Sequence, residues 1–289
     1  MRSHAPPHVR AYRWVVRFYS RLYIRSPLAA QYTSRLQSDW LQVNRVTISV
    51  PGLPSQFDGF SLAHASDLHL GGLVRSEDGR TIVDRIMDLG ADTIVLTGDL
   101  VDFTSAPSDS TGQVIRDVLS RLCAPKGVYA VLGNHDYYAG PEDVASAVAA
   151  SGVTLLRNEG LLLKHSGSKL WLAGVNSVQL GQHDLNAALW DAPPGIPVIL
   201  LAHEPDYADV VAKDERVTLQ LSGHSHGGQI CMPRLGPVRK THMGRKYIYG
   251  LHRVGKMWLY INPGTGMAIL PVRLNCPPEI TLLRLENEG

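Results

Sequence analysis

The sequence predicts an α/β protein whose polar side chains follow the ends of its central strands. From residue 45 onward, short apolar β-rich runs alternate with segments of helical periodicity, a pattern typical of α/β folds. Five times, an apolar strand is followed by a loop that bears Asp, Asn or His. Because ligands bind beyond the carboxyl ends of strands in open α/β sheets, we expect the functional site there.

The first predicted element is a basic amphipathic helix at the amino terminus. Residues 1–38 carry seven arginines and no acid. The arginines recur every three or four positions, which places them on one helical face opposite apolar side chains. Such a helix is typical of interfacial anchors, so residues 9–26 are predicted to bind an anionic membrane surface. A helix docked on the protein's own core and an Arg-rich transit peptide are the alternatives. The predicted arginine face comprises Arg10, Arg13, Arg17, Arg21 and Arg25, and the apolar face comprises Val15, Val16, Tyr19, Leu22 and Tyr23.

The chain therefore divides into this segment, residues 1–45, and one domain, residues 46–289. The pattern predicts helices near residues 80–89, 112–122 and 141–152, with a surface loop at 104–112. The end of the chain is strand-rich with turn residues between the strands. Strands are predicted within "RVTISV", "FSLAHAS", "DTIVLTGDL", "VYAVLGNHD", "LLLKH", "LWLAGV", "PVILLAHEP", "VTLQLSGHSH", "KYIYG", "MWLYINPG" and "EITLLRL".

Composition argues against several classes of protein. The longest apolar runs, such as residues 198–202, are far shorter than the roughly 18–20 residues of a spanning helix. Cys123, Cys231 and Cys276 are far apart and form no C-x-x-C motif, which argues against a disulfide framework and a thiolate zinc site. We expect a cytoplasmic protein, peripheral on the inner face of the membrane.

The polar residues at the strand ends form a predicted metal-binding set. Mixed oxygen and nitrogen ligands suit Mn²⁺, Fe²⁺, Zn²⁺ or Co²⁺. One ion cannot use so many ligands, so two metals are predicted, with Asp99 as a central carboxylate able to bridge them. Gly98, Gly133, Gly223 and Gly227 stand beside the ligands and would permit tight backbone turns. The set comprises Asp67, His69, Asp99, Asn134, His135, Asp136, His203, His224 and His226.

Five motifs resemble the calcineurin-like metallophosphoesterases over about residues 58–285. They are "DLH", "GDLVD", "GNHD", the histidine of "AHEP" and "GHSH", in the family's order. The resemblance implies a four-layer α/β/β/α fold, with a sandwich of two mixed sheets flanked by helices. The tail "INPGTGM…LPVRLNCPPEITLLRL" further resembles a bacterial, usually membrane-associated branch that includes UDP-2,3-diacylglucosamine hydrolases of lipid A assembly. "GHSH" replaces the "GHTH" of many relatives at a position that is not a ligand.

The resemblance also assigns roles to the residues of these motifs. It implies that Asp99 bridges two divalent ions, Mn²⁺, Zn²⁺ or Fe²⁺, which together lower the pKa of a shared water for in-line attack on phosphorus. It implies that His135 faces the substrate phosphate and that Asp136 orients its ring, although Asp136 could instead cap the following turn. The implied ligands are Asp67, His69 and His226 for the first metal, and Asn134, His203 and His224 for the second.

Other polar residues receive weaker predictions. His64 is expected to be structural because its neighbours are apolar, and Asp102 is expected to accept hydrogen bonds within its loop. His242 and His252 are candidate contacts to substrate. Residues 216–278 contain no acid, and arginine forks recognise phosphate bidentately. Candidates for binding a second phosphate or a nucleotide are therefore Arg234, Arg239, Lys240 and Arg245.

The predicted function is hydrolysis of a phosphodiester or pyrophosphate, on a nucleotide-linked or phospholipid-like substrate at a membrane surface. Hydrolysis of UDP-2,3-diacylglucosamine is the narrower alternative. A non-catalytic metal-binding scaffold is the alternative of another class, but the complete ligand set argues against it. Nucleic acid is not the expected partner, because the aromatic residues that could stack on bases lie mainly in the amino-terminal helix.

Overall fold

A computed structural model describes residues 15, 18–19, 22–23, 25–36, 40–102 and 109–288. Arg10, Arg13, Arg17 and Arg21 of the predicted basic helix lie outside the described residues, as does most of the predicted loop at 104–112. In the part of the chain that is described, no helix has both the length and the apolar character needed to cross a bilayer.

The first sheet has six strands and is mixed. Its order is β1, β14, β2, β3, β4, β5. β2, β3, β4 and β5 run parallel to one another, and β14 is antiparallel to β2 but parallel to β1. The carboxyl ends of the three central strands β2, β3 and β4 therefore meet at one edge. The strands are β1 (Gln42–Val50), β2 (Ser61–Ala65), β3 (Thr93–Thr97), β4 (Val128–Val131), β5 (Thr154–Leu155) and β14 (Glu279–Asn287).

The second sheet also has six strands and is mixed. Its order is β12, β13, β9, β8, β7, β6, with antiparallel pairs at both edges and parallel pairs in the centre. A short antiparallel hairpin of β10 and β11 stands apart from both sheets. The strands are β6 (Glu159–His165), β7 (Ser168–Gly174), β8 (Val198–Leu201), β9 (Val217–Ser222), β10 (Cys231–Met232), β11 (Gly236–Pro237), β12 (Gly250–Val254) and β13 (Met257–Ile261).

Three hydrophobic clusters separate four layers. Alternate residues of one strand point to opposite faces, so Leu62 packs between the two sheets whereas Ala63 packs under the helices. A third cluster lies on the outer face of the second sheet. The predicted sandwich of two mixed sheets flanked by helices is thus confirmed. The helices are α1 (Pro27–Leu36), α2 (Ser76–Met87), α3 (Asp109–Leu119), α4 (Asn134–Ala139), α5 (Pro141–Ala150), α6 (Leu185–Ala188) and α7 (Ala208–Val211).

Helix boundaries differ from the prediction by a few residues. α2 begins at Ser76 rather than near residue 80, because Asp78 accepts the backbone N–H of Arg75 at 3.0 Å and caps the first turn. α3 begins at Asp109, so residues 109–112 belong to a helix and not to the predicted loop. Capping contacts of this kind extend a helix beyond its apolar pattern.

The amino-terminal region packs on the domain from Tyr23 onward. Tyr23, Tyr32 and Leu36 are buried in the cluster beneath the first sheet's helices, and Tyr32 Oη donates to the carbonyl of Thr265 at 3.1 Å. The predicted boundary at residues 45 and 46 falls inside β1. Upstream, helical residues at positions i, i+3, i+4 and i+7 expose apolar side chains to solvent: Val15, Phe18, Tyr19 and Leu22.

Candidate metal centre

Five central strands deliver the predicted ligands to one place. β2, β3 and β4 of the first sheet end just before Asp67, Asp99 and Asn134, and β8 and β9 of the second sheet end just before His203 and His224. The loops are joined by backbone hydrogen bonds, such as Gly223 N to the carbonyl of His203 at 3.0 Å. The centre therefore lies where the carboxyl ends of both sheets converge, as the sequence predicts.

The first ligand cluster brings together Asp67, His69, Asp99 and His226. The Nε2 atoms of His69 and His226 face each other at 3.0 Å. Asp67 Oδ1 lies 3.3 Å from His226 Nε2, and Asp99 Oδ2 lies 3.7 Å from His69 Nε2. All four side chains are buried.

The second cluster shares Asp99 with the first and adds His203 and His224. Asp99 Oδ2 lies 3.2 Å from His203 Nε2, which in turn lies 3.2 Å from His224 Nδ1. Asn134 is buried nearby, and its Oδ1 atom has no hydrogen-bond partner among the described residues. Asp99 is thus positioned between two groups of ligands, which is the arrangement that a bridging carboxylate requires.

Hydrogen bonds to backbone carbonyls determine which nitrogen of two imidazoles faces the centre. His203 Nδ1 lies 2.6 Å from the carbonyl of Thr97, and His224 Nε2 lies 2.5 Å from the carbonyl of His242. A carbonyl only accepts, so these nitrogens carry the protons. His203 Nε2 and His224 Nδ1 are therefore the nitrogens directed into the centre, and such contacts are typical of metal-ligating histidines.

Five of the predicted ligands have a left-handed backbone, with φ between 49° and 66°. For residues other than glycine this conformation costs on the order of 1–3 kcal/mol each and is concentrated at functional sites. The strain is offset by contacts such as the bond from His224 N to Asp67 Oδ2 at 3.0 Å. The five residues are Asp67, His69, Asp99, His224 and His226.

The neighbouring glycines have two different roles. Gly98 and Gly227 have φ of 89° and 58°, as expected for the predicted turns. Gly133 instead has φ of −95°, which any residue adopts, but a Cβ at this position would lie 2.2 Å from Asp99 Oδ1. At Gly223 a Cβ would overlap Ser66 Oγ. These two positions require glycine because chain-distant segments approach closely.

Burial and charge set the protonation of the predicted ligands. Burial lowers the pKa of His224 to about 4 and the pKa of His226 well below its usual value, so both imidazoles are neutral at pH 7. Burial also raises the pKa of Asp67 to about 6. For His203, burial would lower the pKa, but the adjacent Asp99 carboxylate outweighs this and raises it. Without a cation the Asp99 and His203 side chains thus hold one proton between them, which a bound metal would displace.

His135 is the imidazole positioned to meet a substrate. Its side chain is 13% exposed, whereas those of His69 and His203 are fully buried. Its backbone N–H donates to Asp99 Oδ1 at 2.8 Å, and its Nε2 lies 4.0 Å from Asp99 Oδ2. The ring also packs edge-on against His69, with centroids 4.6 Å apart. These contacts place His135 beside both ligand clusters.

Asp136 caps the amino terminus of α4. Its two carboxylate oxygens accept the backbone N–H groups of Gly133 at 2.9 Å and Val101 at 3.0 Å. Burial raises its pKa to about 7, and the Asp99 carboxylate adds to the rise. This is the capping role that the sequence left open, and orientation of the His135 ring stays a prediction.

A cavity of about 550 Å³ opens onto the centre. Its inner wall includes Asp99, Asn134, His135 and the two histidines of "GHSH". Part of its lining is apolar. The apolar residues that line it are Ile230, Val238, Ala268, Ile269 and Leu270.

The four basic residues that are predicted to bind a phosphate or a nucleotide divide into two groups. Arg239 lines the cavity, whereas Arg234, Lys240 and Arg245 are exposed residues that are not part of its lining. Lys240 Nζ instead donates to the carbonyl of Arg245 at 3.3 Å.

The remaining predictions have mixed outcomes. His242 lines the cavity, but His252 bonds the carbonyl of Tyr249 and packs on Tyr247. His64 is fully buried beside Thr97 Oγ1 and the Tyr260 ring, which confirms a structural position. Asp102 is buried, with Oδ2 3.9 Å from His69 Nδ1.

Sequence patterns did not identify two acidic residues that fix neighbouring loops through hydrogen bonds. Glu204 is fully buried and accepts Ser177 Oγ and the backbone N–H groups of Val178 and Gln179, and this places Gln179 in the cavity lining. Asp206 accepts the N–H groups of residues 245–247. Both follow His203 in "AHEPD", and only their position next to a ligand could have drawn attention to them.

The residues present fit a pair of divalent cations. Asp67 Oδ1 and Asn134 Oδ1 are buried without hydrogen-bond partners among the described residues, and in both clusters the imidazole nitrogens of two histidines face each other. Such groups are costly to bury unless a further partner satisfies them. Carboxylate, amide and imidazole donors suit Mn²⁺, Fe²⁺ or Zn²⁺ alike.

Comparisons with known proteins agree with this chemistry. Residues 60–228, more than half of the chain, match the family described as calcineurin-like phosphoesterase. The Bacillus subtilis (strain 168) protein "Uncharacterized metallophosphoesterase YkuE" is 35% identical over 89% of this chain and 89% of its own length. "Phosphodiesterase YaeI" of Escherichia coli (strain K12) is 31% identical, over 78% of this chain and 82% of its own.

A third relative comes from Danio rerio. The "Transmembrane protein with metallophosphoesterase domain" is 30% identical over 83% of this chain, which spans 56% of the relative's length. None of these three names is that of a UDP-2,3-diacylglucosamine hydrolase, so assignment to that branch stays a prediction.

Proposed function

The chain belongs to the calcineurin-like phosphoesterase family and is a hydrolase of phosphoric esters, and from this premise we propose that it is a binuclear metal-dependent phosphodiesterase or pyrophosphatase. The observation that carries the proposal is the pair of ligand clusters that share Asp99, with facing nitrogens 3.0 and 3.2 Å apart. The relative named a phosphodiesterase supports the diesterase form.

Each part of the site would have a separate task. Asp67, His69, Asp99 and His226 would hold one cation, and Asp99, Asn134, His203 and His224 the other. Two bound cations would supply charge neutralisation of phosphate oxygens and activation of water.

His135 would then act on the substrate itself. It reaches the cavity while its backbone is held by Asp99. From there it would protonate the leaving oxygen or stabilise the charge that develops on it.

The apolar amino-terminal residues support action at a membrane surface. Val15, Phe18, Tyr19 and Leu22 are exposed on one helical face, and an amphipathic helix of this kind binds the interface of a bilayer. A phospholipid-like or nucleotide-linked lipid substrate, on the inner face of the membrane, would be consistent with this anchor. UDP-2,3-diacylglucosamine is the narrower candidate, and a non-catalytic scaffold is the candidate of another class.

A substrate panel with added Mn²⁺ tests the proposal. It comprises bis-p-nitrophenyl phosphate, p-nitrophenyl phosphate, nucleotides, UDP-2,3-diacylglucosamine and single-stranded DNA. We expect hydrolysis of the diester or a pyrophosphate, with Asp99→Asn inactive and Asp88→Asn, which alters an exposed carboxylate, as active as the wild type. Full activity of Asp99→Asn would contradict the mechanism, and metal binding without hydrolysis of any substrate would favour the scaffold.

A further inference from the structure

The mouth of the cavity is surrounded by exposed apolar side chains. They come from two segments, the β10–β11 hairpin with its flanking residues and the stretch from residue 268 to 274. Leu235, at the tip of the hairpin, is 84% exposed, and Val238 is 64% exposed. We call this set the rim, and it comprises Met232, Leu235, Val238, Leu270, Val272 and Leu274.

Hydrogen bonds hold the two segments of the rim together as one surface. The Gln229 side chain bonds the backbone of Ala268 through both its oxygen and its nitrogen, and also the carbonyl of Leu270. The backbone N–H of Cys231 donates to the carbonyl of Leu274 at 2.9 Å. The apolar side chains of the rim therefore lie on two segments that hydrogen bonds hold in place.

The rim is continuous with the cavity. Val238 and Leu270 belong to both, and the metal ligands His224 and His226 line the same cavity. Exposed apolar side chains that cluster beside a site mark a place where another molecule binds.

Charge determines which molecule fits the rim. Arg234, Arg239, Lys240 and Arg245 are exposed around the apolar side chains, and residues 216–278 contain no acid. Within the described part of the chain, none of these four side chains has a carboxylate within ion-pair distance. Apolar groups surrounded by unpaired cations are complementary to an anionic lipid bilayer. A second copy of the chain would instead bring the same cations face to face in a two-fold interface.

We propose that the rim is a docking surface for an anionic lipid bilayer, which turns the mouth of the cavity toward the membrane. Leu235 and its neighbours would enter the headgroup and acyl boundary while the four cations contact lipid phosphates. This inference goes beyond the amino-terminal anchor, because it assigns membrane contact to the catalytic domain itself. Only one consequence of this inference rests on the proposed function. It is that the phosphoester that the protein hydrolyses comes from the bilayer.

Binding of the full-length protein to vesicles tests the proposal. The probes are vesicles of phosphatidylcholine alone and vesicles that also contain phosphatidylglycerol. We expect the wild type to partition mainly to the anionic vesicles, and Leu235→Ser combined with Val272→Ser to lower partition at least about tenfold. Trp190→Ser, which alters an exposed apolar side chain outside the rim, is the matched control and should partition as the wild type does.

A second variant reports contact directly and does not depend on the amino-terminal helix. Leu235→Trp keeps an apolar side chain at the hairpin tip. Its tryptophan fluorescence, corrected for the wild type, should shift to shorter wavelength on addition of anionic vesicles. An unchanged spectrum in the vesicle-bound protein would overturn the proposal, as would equal partition of the rim variant and the wild type. Dimerisation that the rim variant abolishes would assign the surface to a second copy instead.

Hydrolysis of bis-p-nitrophenyl phosphate without vesicles separates this inference from the proposed function. Leu235 and Val272 do not line the cavity, so the double variant should hydrolyse the soluble diester at the wild-type rate. Vesicle binding without hydrolysis would contradict the proposed function and leave the docking surface standing. Hydrolysis without vesicle binding would contradict the docking surface and leave the proposed function standing.

Discussion

The inner wall and the rim of one cavity are built on opposite principles. The inner wall consists mainly of buried polar side chains, and three of its residues, Asp99, His224 and His226, have a strained left-handed backbone. The rim consists of exposed apolar side chains on a hairpin and a loop, with exposed basic residues beside them. We therefore expect the reaction chemistry to depend on the fold, and the proposed choice of substrate and membrane surface to depend on segments that can vary without disturbing it.

The largest effect is expected from a single methyl group in the inner wall. Gly133→Ala would place a Cβ 2.2 Å from Asp99 Oδ1 and 2.6 Å from Asp99 N, so the shared carboxylate must move. We expect activity to fall by at least roughly 10⁴-fold, because assembly of the centre carries most of an enzyme's acceleration. Bound metal, measured by elemental analysis, should fall with it.

Gly112→Ala is the matched control for this variant. Gly112 lies in α3, where the nearest atom to an added Cβ belongs to the Arg116 side chain, and alanine favours a helix. Activity and metal content should stay at the wild-type level. Equal behaviour of the two variants would show that the inner wall is no more constrained than the protein's surface.

His135→Gln separates catalysis from metal binding within the inner wall. Since His135 reaches the cavity and belongs to neither ligand cluster that shares Asp99, metal content should not change. We expect kcat to fall about 10²–10⁴-fold, the usual contribution of a general acid. His252→Gln is the control because His252 packs on Tyr247 outside the cavity. Loss of metal from His135→Gln would mean that this residue is a ligand.

Burial of His64 behind the inner wall should make the free energy of unfolding decrease at acidic pH. Burial lowers the pKa of the His64 imidazole from its usual 6.5 to about 3. At any pH between these two values, the imidazole is neutral in the folded protein and takes up a proton on unfolding. Stability is therefore fully present above pH 6.5 and is lost as the pH falls toward the folded-state pKa.

The measurement is the free energy of unfolding by urea. Between about pH 7 and 5, His64 alone should contribute a loss of about 2 kcal/mol. His64→Gln, which can still bond Thr97 Oγ1, should reduce this loss. An identical pH dependence in the variant would exclude His64 as its source.

The smallest effect is expected at the rim side of the cavity. Arg239 lines the cavity and Arg234 does not, although the sequence predicts both as phosphate contacts. Arg239→Gln should raise KM about tenfold with kcat little changed, since a hydrogen bond to a charged group contributes roughly 1.5–3 kcal/mol. Arg234→Gln should leave KM for a soluble substrate unchanged. Equal KM values for the two variants would show that Arg239 contributes no more to substrate binding than Arg234 does.

The sequence by itself determined the fold class, the order of the elements and the set of candidate ligands. Apolar strands, the turns after them and the residue types in those turns are local properties. They identify "DLH", "GNHD" and "GHSH" wherever the chain carries them, and the resemblance that they support implied the sandwich of two sheets.

Only the tertiary structure decided how those residues are held and what lies around them. The left-handed backbone of His224 depends on Asp67 from a distant strand, and the need for glycine at position 133 arises from Asp99. Exposure of Leu235 and burial of Glu204 are likewise set by neighbours far along the chain. Close approach between chain-distant segments is a property of packing, and no local pattern of residue types contains it.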